Sequence, residues 1–241
     1  MKLTFTKMLA LGAASLLTVS IAHADISNPG VDVTINEQDE NGDPNPSFWT
    51  SNFNTTNDLL NGLAASSSTG DFTAESTSGA SVLTDGLLPP ISGGHSEMAS
   101  VGGSDGTELI YTFASAVNLT DVQLFGGWSD NGRSSIDTNA YYSTDGGLTY
   151  NLIANEDKVN GGPGVIAFFV DFTPTTNTYL GSNANITNLK FDFDNSAPNG
   201  GQGMAEIVAH GVAATPEPST IALGLSGALV LGLCMFRRRL A

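Results

Sequence analysis

The stretch YYSTDGGLTYNLI, residues 141–153, carries the strongest fold signal in this sequence. Its centre, residues 145–147, is Asp-Gly-Gly, and apolar and aromatic residues lie on both sides. Asp-Gly and Gly-Gly pairs supply the positive backbone angles that tight hairpin turns require. The stretch therefore predicts a β-hairpin, with one strand ending near Ser143 and the next beginning near Leu148.

Short runs of alternating apolar and polar residues continue on both sides of this hairpin. Alternation places every second side chain on the same face of a strand, so these runs predict half-buried β-strands. In the run at residues 186–193, for example, Leu189 and Phe191 share one face while Lys190 and Asp192 share the other. The runs are residues 108–113, 121–125, 186–193 and 203–212, with 165–172 apolar on both faces.

Several short strands at this spacing predict an all-β fold, an antiparallel β-sandwich. We expect one domain over residues 25–214, with its firmest part at 82–212. A short helix is expected at residues 54–65.

Several segments of this domain follow an order known from one fold family. LTDG at 83–86 and LTDVQLF at 119–125 precede WSDNGR at 128–133 and YSTDGGLTY at 142–150. This order resembles the discoidin, or coagulation-factor C-type, domain of the galactose-binding-like superfamily over residues 82–212. The resemblance implies a jelly-roll β-sandwich in which these residues serve the fold. The two terminal cysteines that many such domains bridge are absent here.

The chain is strongly acidic, with 24 Asp and Glu residues against 8 Lys and Arg. Between residues 25 and 215 the positive side chains are those of Arg133, Lys158 and Lys190. Such a surface repels nucleic acid and anionic lipid, so we expect no nucleic-acid partner. It suits divalent cations or uncharged partners such as sugars.

The first 24 residues have the pattern of a cleavable secretion signal. Lys2 and Lys7 precede an apolar segment, and Ala22 and Ala24 form an Ala-x-Ala cleavage site. We therefore expect the chain to be exported across the inner membrane and its signal to be cleaved by signal peptidase.

The last residues, 215–241, have three parts in order. Pro216, Glu217 and Pro218 lead into an uncharged segment, 219–236, which predicts a single transmembrane helix. A basic cluster of Arg237, Arg238 and Arg239 follows, and it favours a cytoplasmic end.

This order resembles the PEP-CTERM sorting signal. The resemblance implies a Gram-negative bacterium that makes extracellular polysaccharide, and processing by an exosortase, a membrane-embedded cysteine protease. The protein would be membrane-anchored for a time and then lie at the cell surface or in the extracellular matrix. A plain anchor that is never cleaved is the alternative.

The sequence shows no catalytic motif of a known class, so we expect no enzyme. His95 lies in a Gly-rich segment and His210 in a predicted strand, where a solvated or half-buried histidine is the simplest interpretation. Cys234 lies in the apolar tail and is unsuited to attack a soluble substrate.

Two ligand sites are nevertheless suggested by residue type. Trp128, Asp130 and Arg133 combine a ring with planar polar groups, as sugar sites require, although a core tryptophan and a structural ion pair explain them equally. Asp39, Asn41 and Asp43 place oxygen atoms at alternate positions, as in calcium loops, which makes calcium a candidate cofactor. Further oxygen donors are Asp130, Asp145, Asp192 and Asp194.

These observations favour a non-catalytic adhesive or structural module that is displayed on the cell surface. A lectin-like module that binds extracellular polysaccharide, with or without calcium, is the second interpretation, and a secreted hydrolase is the third.

Overall fold

The structure is a computed structural model that describes ten ranges of the chain. They are residues 30–39, 49–73, 78–89, 98–101, 106–128, 133–158, 166–175, 178–180, 185–194 and 201–215. The predicted secretion signal, 1–24, and the sorting residues from 216 onward lie outside these ranges. Within them, no helix is long and apolar enough to cross a membrane.

The elements that lie wholly within these ranges are strands and one short 3-10 helix, Ala80–Thr84. The strands are β1 Val31–Asp39, β2 Ser67–Thr69, β3 Ala99–Val101, β4 Thr107–Trp128, β5 Ile136–Ser143, β6 Asn151–Lys158, β7 Ile166–Pro174, β8 Ile186–Phe193 and β9 Gln202–Ala213. Every pairing between these strands is antiparallel. The predicted all-β antiparallel class is therefore confirmed.

The nine described strands form one sheet with two layers, and the long strand β4 belongs to both layers. Its first half pairs with β8 and β2, and β8 continues to β5 and β6. Its second half pairs with β7 and β9, which continue to β1 and β3. The sequence predicted separate strands at 108–113 and 121–125. They are one strand, because a register shift between Thr112 and Val117 lets the chain pass from one layer to the other.

Alternation along the strands fills the core between the two layers. Leu109, Phe172 and Phe191 are fully buried and belong to one cluster. Each such side chain contributes about 1.5–3 kcal/mol by leaving water. The faces predicted for 186–193 are confirmed, since Leu189, Phe191 and Phe193 are buried while Lys190 and Asp192 are only half-buried.

A second, smaller core lies on the opposite face of the β7–β4–β9 layer. Trp49 is fully buried there with Phe125, Phe169 and Val208, and its Nε1 donates a hydrogen bond of 3.1 Å to the Phe168 carbonyl oxygen. This explains why the run 165–172 is apolar on both faces. The segment that begins at Trp49 thus covers one side of the sandwich.

The predicted helix at 54–65 is wrong. Residues 51–66 are mostly turns and bends. The side-chain Oδ1 atoms of Asn54 and Asp58 accept the N–H groups of Thr56 and Leu60, respectively. Such local side-chain bonds compete with helical ones, and Asn57 has a φ of 63°, which ends any helix.

Candidate functional site

Two of the predicted sugar residues, Trp128 and Arg133, lie in the described part of the chain, at one end of the sandwich. Trp128 is the last residue of β4 and pairs with Ile166 of β7. Arg133 lies just before β5, and its carbonyl oxygen accepts the Gly203 N–H at 2.8 Å. Asp130 and the side chain of Trp128 lie outside the described residues. A sugar site at this end therefore stays a prediction.

The predicted calcium residues also stay a prediction. Asp39 ends β1, while its side chain, Asn41 and Asp43 lie outside the described residues. In the described part of the chain, no three His, Cys, Asp or Glu side chains are grouped to hold a metal ion.

One of the further oxygen donors, Asp145, has a structural role in the β5–β6 turn. Its Oδ1 accepts the N–H groups of Leu148 and Thr149 at 3.1 and 3.0 Å and the Ser143 hydroxyl at 2.7 Å. Its Oδ2 accepts the Thr149 hydroxyl at 2.7 Å. Hydrogen bonds from the Thr149 hydroxyl and N–H lower the pKa of Asp145 to about 2. The predicted hairpin is confirmed, although β6 begins at Asn151 because Asp145 holds the residues before it in the turn.

The same turn positions the ring of Tyr150 over the sheet. Gly147 has a φ of 88°, and a Cβ there would lie 3.1 Å from the Tyr150 hydroxyl and 3.6 Å from the Asn188 side chain. Glycine therefore satisfies the backbone angle and also leaves room for the tyrosine. The turn is fixed to β8 as well, because the Gly146 N–H donates to the Thr187 hydroxyl at 3.0 Å.

Tyr150 meets a second tyrosine and a lysine on the outer face of β8. Lys190 pairs with Tyr141 of β5, and its Nζ lies 4.7 Å from the Tyr141 ring centre and 5.5 Å from the Tyr150 ring centre. Both distances are within the range of cation–π attraction. Nζ also lies 3.1 Å from Glu108 Oε2 and 3.9 Å from Asp192 Oδ2. These five residues form a half-exposed surface that we call the tyrosine platform.

Electrostatics favour the charged form of Lys190 on the platform. Burial lowers the pKa of Lys190, but the hydrogen bond and charge of Glu108 outweigh it, so that the pKa lies above its ordinary value. Burial raises the pKa of Asp192, and Lys190 opposes this effect. An ammonium, two carboxylates and two rings therefore share one surface.

Amide side chains extend this surface across β5 and β6. Asn155 Nδ2 donates to Asn139 Oδ1 at 2.9 Å, and Asn139 Nδ2 donates to Asp194 Oδ2 at 3.0 Å. On the other side, Asn188 Nδ2 donates to the Thr112 hydroxyl at 2.8 Å. Rings beside fixed planar polar groups are what a sugar site requires.

A second polar cluster lies on the other layer, around His210. His210 Nδ1 is 2.6 Å from Asp121 Oδ1, and Nε2 is 2.7 Å from the Asn54 carbonyl oxygen. The hydrogen bond with Asp121 is the main reason that the pKa of His210 rises to about 9. Both ring nitrogens are engaged, so His210 joins the segment at Asn54 to the sheet and has no nitrogen left for a substrate.

Sequence reasoning missed the tyrosine platform. The predicted alternation placed Lys190 and Asp192 on one face of a strand, and Tyr150 stands in the hairpin predicted at residues 141–153. One signal would have found the site: Lys190, like Arg133, is one of few positive residues in a very acidic domain.

No protein-family model matches the chain, and no curated protein matches it either. Solved structures with some likeness include a mutant of the lectin binding domain of Lectinolysin complexed with Lewis b. The two chains are 15% identical with a TM-score of 0.43, over 66% of this chain and 98% of that one. At this level, the likeness decides neither fold nor function.

Two further structures have similarly low sequence identity and TM-scores. The family 32 CBM of C. perfringens NanJ in complex with galactose is 14% identical, with a TM-score of 0.37 over 61% of this chain and 90% of that one. A chitosan-binding module of a chitosanase/glucanase from Paenibacillus sp. IK-5 is 17% identical. Its TM-score is 0.35, over 65% of this chain and all of the module.

Proposed function

We propose that this chain is a non-catalytic, carbohydrate-binding surface protein, and that the tyrosine platform is its contact surface. The observation that carries the proposal is the pair of tyrosine rings beside Lys190, with carboxylates and bonded amides around them. Rings stack on the apolar faces of sugars, while the ammonium and carboxylates exchange hydrogen bonds with hydroxyl groups. The rigid hairpin turn keeps Tyr150 in place before a ligand arrives, which reduces the entropy cost of binding.

The charge of the chain narrows the class of polysaccharide that the platform is expected to bind. Its formal net charge is −16, so long-range repulsion disfavours polymers of uronic acids or sulfated sugars. Uncharged polymers and amino-sugar polymers remain as the expected ligands. This acidity also supports the absence of a nucleic-acid partner.

Retardation in native gels that contain a polysaccharide tests this function. Galactan and chitosan, chosen after the ligands named for the neighbouring structures, are compared with dextran and with anionic alginate. We expect galactan, chitosan or dextran to retard the full-length chain, and we expect alginate not to retard it. No retardation by any of them would overturn the proposal.

Variants of the same chain locate the binding surface. Loss of one stacked ring removes about 1–1.5 kcal/mol, or roughly a tenfold loss of affinity, so Tyr141→Ala and Tyr150→Ala should each weaken retardation. Tyr179→Ala, which removes a tyrosine outside the platform, is the matched control. Loss of binding in Trp128→Ala or Arg133→Ala, with the platform variants unaffected, would move the site to the end of the sandwich.

We also propose that the chain reaches the cell surface through signal peptidase and an exosortase, as its two ends resemble the signals for both. The support is the sequence alone: Ala22 and Ala24 at one end, and Pro216, Glu217 and Pro218 before the apolar segment at the other. A tagged chain in a Gram-negative host with an exosortase should leave the cytoplasm and lose mass at both ends. Substitution of Glu217 by Ala should preserve export but leave the tail attached, whereas a cytoplasmic product of unchanged mass would contradict the proposal.

A further inference from the structure

The apolar surface of the platform extends beyond a single ring. The Tyr141 ring comes from β5 and the Tyr150 ring from the turn, and both face the same ammonium of Lys190. Their centres therefore cannot lie further apart than the sum of the two ring-to-nitrogen distances. This upper bound is compatible with neighbouring sugar units of one chain, with one unit on each ring.

Leu148 lies two residues before Tyr150, in the same turn. Its side chain is 84% exposed, the largest exposure among the large apolar residues that the structure describes. The residue is not on a loose loop, because Asp145 accepts its N–H and the N–H of Thr149. A held, exposed leucine two residues from Tyr150 is a third apolar side chain in this part of the fold.

The platform is a half-exposed surface and is separate from the described cleft. It lies on the strand faces of β5 and β8, whereas the described cleft of about 330 Å³ is lined by other residues, among them Leu63, Ala80 and Asp85. A cleft can enclose the last sugar of a chain, while an open face lets a polymer continue in both directions. The amides of Asn139 and Asn155 extend the polar part of this face toward β6.

We propose that the tyrosine platform and Leu148 bind an internal segment of a linear polysaccharide, at least three sugar units long, and do not recognise a chain end. This inference rests on the proposed carbohydrate-binding function of the same surface. Two sugar units stack on the tyrosines, the third contacts Leu148, and Lys190 donates hydrogen bonds to hydroxyl or ring oxygens between the first two.

Calorimetric titration of the full-length chain with oligosaccharides of increasing length tests the inference. The probes are β-1,4-linked N-acetylglucosamine oligomers and β-1,4-galactan oligomers of one to six units, together with the two parent polymers. We expect at least a tenfold fall in Kd from two to four units, followed by a plateau. Borohydride reduction of the reducing end of the hexamer should leave its Kd unchanged.

One variant separates the third contact from the other two. Leu148→Ser should weaken binding of the tetramer three- to tenfold and leave that of the disaccharide unchanged, while Leu87→Ser, at another exposed leucine, should change neither. Circular dichroism checks that both variants fold, and Leu148→Ala replaces the first if it does not.

The outcomes distinguish the inference from the function on which it rests. A monosaccharide that binds as tightly as the tetramer, or a hexamer whose binding is lost on reduction, would overturn the inference but keep the carbohydrate-binding function. An unchanged tetramer Kd in both Leu148 variants would also overturn it. Absence of binding to all oligomers and both polymers would sink the two together.

Discussion

The contact between His210 and Asp121 makes a sharp prediction about stability. His210 lies on β9, pairs with Asp121 of β4, and also bonds the Asn54 carbonyl oxygen. It therefore attaches the segment that covers the second core to the sheet. The perturbation is the variant His210→Gln, which keeps a hydrogen-bonding side chain of similar reach but removes the titratable charge.

The magnitude follows from the pKa of His210. An ordinary histidine titrates near about 6.5, and here the Asp121 hydrogen bond raises the pKa to about 9. The folded state thus holds the proton more tightly, so the contribution is complete below about pH 6.5 and is lost as the pH rises through 9. A shift of this size corresponds to roughly 3 kcal/mol at full strength. Because the His210 and Asp121 side chains keep 13% and 18% of their surface exposed, solvent screening reduces this to about 1–2 kcal/mol.

Urea unfolding of the full-length chain at pH 6.5 and pH 9.5 measures this contribution. When the pH is raised from 6.5 to 9.5, the free energy of unfolding of the wild type should fall by about 1–2 kcal/mol more than that of His210→Gln. Other groups that titrate in this range act on both proteins alike. The nearby Asp171, whose pKa burial raises to about 6, is largely but not fully ionised at pH 6.5 and completes its titration within about one pH unit above it. An equal loss in both proteins would refute the assignment of a charged His210–Asp121 pair.

Three further predictions concern the turn and the second core. Asp145→Ala removes the acceptor of the turn, so the amide protons of residues 146–149 should exchange at least tenfold faster, and unchanged rates would contradict this role. Gly147→Ala should lower the free energy of unfolding by about 1 kcal/mol or more in urea, because alanine is strained at this positive φ and meets a tyrosine hydroxyl; wild-type stability would show that the turn relaxes. Trp49→Phe loses the hydrogen bond to the Phe168 carbonyl and should cost about 1 kcal/mol in thermal unfolding, whereas an unchanged midpoint would show that this bond adds no stability.

The strands from β4 onward and the hairpin follow from the sequence because their signals are local, whereas β1, β2 and β3 were not predicted. Alternation of period two identifies which residues of β8 face the core, and Asp145 followed by two glycines identifies the turn. The antiparallel class follows from several such runs in succession. None of these inferences needs knowledge of which strand lies beside which.

The tyrosine platform and the second core depend on register and on distant segments, which the sequence does not contain in local form. Tyr141 and Lys190 are 49 positions apart and meet only because β5 pairs with β8 in one register. Trp49 is 119 positions from its partner Phe168. The helix expected at 54–65 failed for a related reason, since Asp58 also accepts the N–H of Ala209 on the distant strand β9.

A crystal structure of the full-length chain with the oligosaccharide that binds most tightly tests the central claim most directly. The account predicts sugar rings stacked on Tyr141 and Tyr150, with Lys190 Nζ within hydrogen-bond distance of their oxygens. Sugar bound only at the end of the sandwich, near Trp128 and Arg133, would contradict the platform as the binding surface.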